Sequence, residues 1–348
     1  MTLYIGVDFH PHQQTIAWCD TQTGETRTTD LINDLQIVHE FYSSLPEPAT
    51  VGIEASARAR WFENMLFETG HRLFVGNPVL IRKRATSRHK NDRRDAELIL
   101  QLLLRDEFPA IWRRPLESES VLDVIRLRQS LVRQRTGVYN RLQALAHDLG
   151  LAKGRIRIKS YQKLLKTAEI SEVSSIRRKH LFSLVEKLDE QIDELNGWLK
   201  KMEKDKPVQL LMTQKGVGIL TALATVHTLG DVSRFPRLSK QIASFAGLDP
   251  VEKSSAGKTR FGSISKAGSR LLRHQLGLSA QIACRSDAKL KAFYKRLARK
   301  KPKPVAKTAA ARKLLIKLAI MLRDQITADE FDQRGRTVGN ARLTTDLK

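Results

Sequence analysis

The sequence predicts an α/β N-terminal domain, a helical coiled-coil linker and a mostly α-helical C-terminal domain. Residues 1–112 alternate short β-rich runs with helical stretches, and residues 113–205 carry apolar residues at heptad spacing. Residues 206–330 are helical between glycine-containing turns and strongly basic, and residues 331–348 are predicted to form a flexible tail. A chain of 348 residues, 41% of them hydrophobic, is long enough to build cores for two or three such domains.

Four short runs in the first part are predicted to be β-strands. The runs "LYIGVDF" and "TIAWCD" flank "HPHQQ", which indicates a β-hairpin, and "ATVGIEA" and "HRLFVGNP" are later strands. Helices intervene around residues 35–45 and 59–68. This alternation of strands and helices is typical of an α/β domain.

The linker is predicted from two sets of apolar residues that keep a four-and-three register between residues 117 and 204. Arg128 and Arg135 interrupt the first set. The two sets are Val121, Val124, Leu131, Val138, Leu142, Leu145 and Leu149, and Leu181, Val185, Leu188, Ile192, Leu195 and Leu199. Two long helices follow from this spacing, packed either on each other or on a partner chain.

The charge balance indicates a polyanionic partner. The chain has 61 Lys and Arg against 37 Asp and Glu, a net charge of +24 and a pI near 10.3. Residues 251–323 hold 20 basic residues and only two acids, Glu252 and Asp287. Nucleic acid is therefore the expected partner, although a solvated basic face and an anionic membrane surface are alternatives. The predicted nucleic-acid contacts are Lys215, Lys258, Arg260, Lys266, Arg270 and Arg273.

One glycine-containing turn has two interpretations. "KGVGILTALATVHTLGD" places Lys215, Gly216 and Gly218 just before an apolar helical run, as in a helix-hairpin-helix that binds phosphate through backbone amides. An ordinary turn between packed helices is nearly as consistent with the spacing.

Other composition features exclude several classes of protein. The only cysteines, Cys19 and Cys284, are far apart, so neither a disulfide framework nor a cysteine zinc site is expected. No apolar run is long enough to span a membrane, and the N-terminus lacks the pattern of a signal peptide. We therefore expect a cytoplasmic protein associated with the nucleoid and no membrane partner.

Four carboxylates are candidates for a metal site. Asp8 ends the apolar strand "IGVDF", and Glu54 ends "VGIE" in the same way. Asp92 and Asp95 in "KNDRRDA" lie one helical turn apart on a single helix face. Together the four can hold a pair of Mg²⁺ (or Mn²⁺) ions that activate a nucleophile and stabilise a leaving oxygen. Taken singly, Asp92 can instead be an N-cap, Asp95 a first-turn residue favoured by the helix dipole, and Asp8 a turn residue.

These motifs resemble those of the DEDD-type insertion-sequence transposases. The order of "IGVDFH", "IEAS" and "KNDRRDA" is similar to that of the insertion-sequence family numbered one hundred and ten, with its eleven-eleven subgroup, and of the related Piv DNA invertases. "KGVG", "FAGLDP" and "GSISKAGSRLLR" extend the resemblance to the C-terminal part. It implies a RuvC-like (RNase H-like) domain with Asp8, Glu54, Asp92 and Asp95 as catalytic metal ligands, and a C-terminal transposase domain with a nucleophilic serine. It also implies double-stranded DNA partners (element ends and target), a bridge RNA as guide, and a homo-oligomer (dimer or tetramer).

The resemblance places the serine shortly after the "GLDP" turn. Ser255 stands at the family's usual distance from Pro250, while Ser254 remains an alternative because Ala256 replaces the glycine that usually follows. Without the family, a flexible loop that contacts phosphates is the favoured interpretation of "SSAGKTRFGS".

Other functions stay open. A RuvC-like nuclease would release cut ends, and an invertase would recombine DNA without an RNA guide. A non-catalytic nucleic-acid-binding protein would explain the charge but not the four acids. Actin-like ATPases also begin with "YIGVDF", but His10 and Pro11 stand where their phosphate loop needs glycine.

Overall fold

A computed structural model describes residues 2–56, 59–85, 91–151, 154–252 and 260–337. The chain separates into two units, Met1–Arg113 and Arg114–Lys348. Each unit has its own hydrophobic clusters. The expected α/β sheet lies in the first unit, and the second is mostly helical, as predicted. The further division of the second unit into a linker and a C-terminal domain stays a prediction.

The first unit is built on a five-stranded sheet in the order β3-β2-β1-β4-β5. β1 is antiparallel to β2, and β2 to β3, whereas β4 runs parallel to β1 and to β5. The strands are β1 Leu3–Phe9, β2 Gln13–Asp20, β3 Thr26–Ile32, β4 Thr50–Glu54 and β5 Arg72–Gly76. All four predicted strands are confirmed. β3 was not predicted because "TRTTDLI" is an edge strand whose side chains are mostly exposed and polar.

Helices cover both faces of this sheet. They are α1 Leu35–Ser43, α2 Arg60–Glu68, α3 Pro78–Arg82 and α4 Asp92–Leu104. Ile5 and Val7 of β1 point toward α1 and α2, where they are buried with Tyr42 and Phe62. Residues of the opposite face pack against α4, since successive side chains along a strand alternate between faces.

Two glycines allow α4 to lie directly on the sheet. A Cβ on Gly6 would be 2.3 Å from the carbonyl oxygen of Ala96 and 2.4 Å from the amide nitrogen of Leu100. A Cβ on Gly52 would be 2.8 Å from the Leu103 side chain. Because these two positions of β1 and β4 carry no side chain, α4 can approach both strands closely.

We expect Gly6→Ala to destabilise the first unit by about 1–3 kcal/mol, because the new methyl group meets backbone atoms that cannot rotate away. Thermal unfolding of the full chain measures this loss. Gly137→Ala is the matched control. Its Cβ would have no heavy atom within 4 Å, and alanine favours a helix over glycine. Equal unfolding temperatures for Gly6→Ala and the unchanged protein would show that α4 does not pack closely on β1.

In the second unit, two long antiparallel helices pack on each other. α5 spans Leu116–Asp148 and α7 spans Glu172–Lys200, with the short α6, Lys159–Thr167, between them in sequence. Both arginines that interrupt the heptads contact the other helix. Arg128 Nε donates a hydrogen bond to Asn196 Oδ1 at 2.6 Å, and Arg135 forms an ion pair with Asp189. Of the two packing alternatives, the structure contains the pairing within one chain.

The remaining helices surround one buried helix. Apolar residues of α13, among them Leu314, Leu315 and Leu318, lie at the centre of the largest core. Val121 and Leu122 of α5 belong to the same core. The elements are α8 Lys206–Met212, α9 Ile219–Leu229, α10 Leu238–Phe245, β6 Pro250–Glu252, β7 Phe261–Ile264, α11 Arg270–Ser286, α12 Ala288–Ala298, α13 Lys303–Asp324 and α14 Ala328–Thr337.

The start of the predicted tail is corrected by α14, which continues to Thr337. Phe331 packs against the core, and Lys317 Nζ lies 3.0 Å from Asp332 Oδ2. These contacts hold the helix where the sequence predicted a tail from residue 331 onward. Residues 338–348 lie outside the described residues.

Within the described parts of the chain, no helix combines the length and the apolar character that crossing a membrane requires.

Candidate metal centre and basic surface

Asp8 and Glu54 lie side by side at one edge of the sheet. Val7 of β1 pairs with Ile53 of the parallel strand β4, so the next residue of each strand is a carboxylate. Because side chains alternate, Asp8 shares the α4 face with Gly6, and Glu54 shares it with Gly52. The sheet thus places both predicted carboxylates on the face that α4 covers.

Asp92 and Asp95 occupy the first turn of α4. The N-cap is Asn91, whose side chain accepts a hydrogen bond from the Arg93 amide at 3.0 Å. The alternative in which Asp92 itself caps the helix is therefore wrong. Asp92 is instead the first residue of the helix, and the positive end of the helix dipole favours its charge.

The structure brings Asp8 and Asp92 together with His10. One possible ligand atom from each of the three lies within 4.8 Å of the other two. His10 Nε2 is 3.2 Å from Asp8 Oδ2 and 3.6 Å from Asp92 Oδ1. The Asp8 side chain is 13% exposed and that of Asp92 41%, so the cluster opens to solvent on the helix side. Glu54 and Asp95 are not part of this three-residue group among the described residues.

The sequence interpretation missed His10 as a site residue. The hairpin fixes its backbone, since the His10 amide donates to the Gln13 carbonyl at 2.9 Å and the Asn33 side chain donates to the His10 carbonyl. A histidine two residues after a strand-end aspartate was the available signal, but its distance to Asp92 depends on the packing of α4.

The surroundings of Asp8 disfavour the charged form of its carboxyl group and raise its pKa. Burial raises the pKa of the Asp8 carboxyl most strongly, and the charges of Asp92 and Asp95 raise this pKa further, while His10 lowers it. Asp95 therefore acts on the site electrostatically although it lies outside the three-residue group. A cation among these acids would offset their repulsion.

Ser254, Ser255 and Lys258 lie outside the described residues. The flanking strands β6 and β7 are antiparallel. Near their base, Ser265 Oγ donates to Asp249 Oδ1 at 2.6 Å, and Gly247 adopts a positive φ of 65°. The described residues before and after the segment that carries both serines are thus joined by a strand pair and a side-chain hydrogen bond.

The other predicted nucleic-acid contacts differ in their surroundings. Lys215, Arg260, Lys266 and Arg270 are exposed. Arg273 is half-buried, and its Nη1 donates hydrogen bonds to the carbonyl oxygens of Ala246 at 3.0 Å and Gly268 at 2.7 Å. Arg273 therefore stabilises the turn before α11.

The turn at Lys215 connects packed helices. Gly216 has a φ of 91°, and a Cβ there would be 2.6 Å from the Ala283 amide nitrogen of α11. Close packing against α11 thus requires this glycine. Helix packing alone therefore accounts for this glycine, as expected of an ordinary turn between packed helices.

Two family comparisons match most of the chain. A sequence model named for the DEDD transposases, described as "Transposase", matches residues 5–149, and one described as "Transposase IS116/IS110/IS902 family" matches residues 208–295. The first match contains the four carboxylates and His10. The second contains "KGVG", "FAGLDP" and both candidate serines.

Three relatives agree with these matches. The "Probable family 20 transposase" of Pseudomonas aeruginosa is 28% identical over 79% of this chain and 84% of its own length. The transposase of insertion sequence element IS1328 from Yersinia enterocolitica is 28% identical over 80% of this chain and 83% of its own length. The transposase of element IS1111A from Coxiella burnetii is 31% identical, covering 53% of this chain and 52% of its own length.

Proposed function

Because the chain belongs to the IS116/IS110/IS902 family of transposases and is a DNA transposase, we propose that it cleaves and rejoins DNA with a metal-binding carboxylate site and a serine nucleophile. One observation carries the first half of this proposal. Asp8 and Asp92, from distant parts of the sequence, converge at the end of the central strand inside the region that matches the DEDD transposases.

The topology supports a RuvC-like (RNase H-like) assignment for the first unit. The sheet order is β3-β2-β1-β4-β5, with an antiparallel first half and a parallel second half. Asp8 and Glu54 lie among the last residues of β1 and β4, and Asp92 and Asp95 lie in the first turn of the helix that covers these strands. This is the arrangement that the family resemblance leads us to expect.

Membership in a DEDD transposase family implies a divalent metal, and the residues present fit one. Carboxylate oxygens are the preferred ligands of Mg²⁺ and Mn²⁺, and the neutral imidazole of His10 is a further metal-binding group beside them. Asp8 and Asp92 would hold the metal, with Glu54 and Asp95 completing the site. When bound, the metal would lower the pKa of an attacking hydroxyl and stabilise charge on the leaving oxygen.

Ser255 is proposed as the nucleophile, with Ser254 as the alternative. A serine hydroxyl needs activation before it attacks phosphorus. Basic side chains at Lys258, Arg260 and Lys266 surround it in sequence and would stabilise charge on the phosphate. The support for this step is the position of both serines within the second family match.

A bridge RNA and a homo-oligomer, dimer or tetramer, complete the proposal. Both rest on the family and on the charge of +24, which suits more than one nucleic-acid partner. For the oligomer, the paired helices α5 and α7 keep exposed apolar side chains at Leu127, Ile176 and Leu184. Such residues are available to a second copy.

The function is tested with a plasmid that carries the element's junctions and a target. The RNA transcribed from the element's flanking non-coding segment is added separately. We expect rejoined products with Mg²⁺ or Mn²⁺ and none after chelation by EDTA. Cut ends without rejoining would indicate a RuvC-like nuclease. Rejoining without the RNA would indicate an invertase-like enzyme. Rejoining that persists in EDTA would contradict the metal site.

A further inference from the structure

A basic cleft lies between α5 and the start of α11. It encloses about 540 Å³. α5 contributes Arg126, Gln129 and Arg133, α11 contributes Arg270 and His274, and Arg114 lies at one side. All of these residues belong to the second unit, away from the carboxylates of the first in sequence.

The cleft is built on rigid elements. Arg126, Gln129 and Arg133 are three and four residues apart, so they share one face of α5, and Arg270 and His274 share one face of α11. α5 is also braced along its length by α7, through Arg128 and Arg135. The basic groups are thus presented in a fixed arrangement rather than by a loop.

Part of the positive charge in the cleft is not neutralised by the protein. Arg114 and Arg126 pair with Glu119, and Arg126 also pairs with Asp123. Across the described ranges, Arg133, Arg270 and His274 form neither an ion pair nor a side-chain hydrogen bond. Two arginines therefore remain available to an anion that enters the cleft.

The start of α11 adds to this preference for anions. Ser269 caps the helix by accepting a hydrogen bond from the Leu272 amide at 3.2 Å, and the first turn contains no acidic residue. The first amides of a helix have no partner within it and carry the positive end of its dipole. They lie next to Arg270, so backbone and side chain both favour a phosphate here.

We infer that this cleft binds the phosphodiester backbone of double-stranded DNA, an inference that rests on the proposed function. Arginine can hold a phosphate with two parallel hydrogen bonds, which positions the duplex without reading its sequence. Single-stranded nucleic acid is usually held by bases stacked on aromatic rings. Among the lining residues of the cleft, all of which are described, the imidazole of His274 is the only aromatic ring, and Phe, Tyr and Trp are absent. A duplex backbone therefore fits the cleft better than an unpaired strand.

The test is a double variant, Arg133→Gln with Arg270→Gln, measured by fluorescence anisotropy on labelled DNA in EDTA, so that no strand is cut. The matched control is Arg141→Gln with Arg285→Gln. It removes the same charge from exposed positions on the same two helices, outside the cleft. The probe is a duplex of about 30 base pairs, long enough for several phosphate contacts, compared with a single strand and an RNA duplex of the same sequence.

We expect the cleft variant to bind duplex DNA roughly tenfold more weakly. The slope of log K against the logarithm of salt concentration should become about 2 less steep, because each of the two lost phosphate contacts contributes about 0.9 to it. The control should keep the salt dependence of the unchanged protein. Because Arg133 and Arg270 make no described ion pair, both variants should also keep its unfolding temperature.

Equal losses in the cleft variant and the control would overturn the inference, as would a loss confined to the single strand or to duplex RNA. Either result leaves the transposase proposal intact. Failure of the unchanged protein to bind any DNA would instead contradict the proposed function itself, so the two failures are distinguishable.

Discussion

Asp92→Asn is expected to lower DNA strand cleavage by about a thousandfold, since a bound metal supplies several kcal/mol of transition-state stabilisation and each 1.36 kcal/mol is about tenfold in rate. The substitution keeps the size of the side chain and removes only its charge. The N-cap of α4 is Asn91, so the hydrogen bond that begins the helix survives. The loss should therefore appear in chemistry rather than in folding.

The measurement is the rate of cleavage of a plasmid carrying the element ends, at saturating Mn²⁺, with titration of Mn²⁺ binding as a second readout. Glu97→Gln is the matched control. It removes one negative charge from an exposed position on the same helix, outside the carboxylate cluster. We expect Asp92→Asn to bind Mn²⁺ more weakly and Glu97→Gln to behave like the unchanged protein. Wild-type cleavage by Asp92→Asn would remove Asp92 from the site.

Much of the α/β unit was predictable because its determinants are local. Apolar runs such as "LYIGVDF" form buried strands wherever they can pair, and the acids at their ends follow from the sequence itself. β3 was missed because an edge strand need not bury its side chains. Its pairing with β2 depends on the hairpin geometry and not on its own pattern.

The site was predictable in part for a related reason. Asp8 and Asp92 were predicted as site residues from a strand end and a helix start, but their convergence with His10 depends on how closely α4 packs on β1. Gly6 permits that packing, and the contact joins residues about 90 positions apart in sequence, a non-local pairing that no short pattern specifies. Glycine inside a strand was the signal for a close approach, and it does not say which helix approaches.

For α5 and α7, the sequence predicted the helices but not which helix each one packs on. Heptad spacing predicted two long helices but left their partner open, and the two arginines looked like defects in the pattern. Arg128 and Arg135 instead contact polar residues of α7, in the register of an antiparallel pair. Polar groups at seam positions often specify register at some cost in stability.

Ser255→Ala is expected to abolish recombination, with a loss of roughly ten-thousandfold or more, the order seen when a covalent nucleophile is removed. In the proposed step, Ser255 Oγ forms a bond to phosphorus and the bond from phosphorus to one DNA oxygen breaks. The serine gives up its proton and the departing DNA oxygen gains one, so one DNA end stays attached to the protein. The phosphoester bond conserves the energy that rejoining needs, which hydrolysis would release. Denaturing gels should therefore show a protein–DNA adduct that Ser255→Ala cannot form.

Companion measurements on other variants, together with peptide mapping, decide which group attacks. Ser263→Ala, at an exposed position in β7, is the control and should retain both the adduct and recombination. If Ser254→Ala loses the adduct while Ser255→Ala keeps it, the nucleophile moves by one residue and the chemistry stands. DNA binding by Ser255→Ala should persist because the neighbouring basic side chains remain, and slow hydrolytic nicking is compatible with an intact carboxylate site. If both serine variants recombine normally and peptide mapping finds no adduct, serine catalysis is wrong, and the carboxylates must direct water or a DNA hydroxyl at the phosphate.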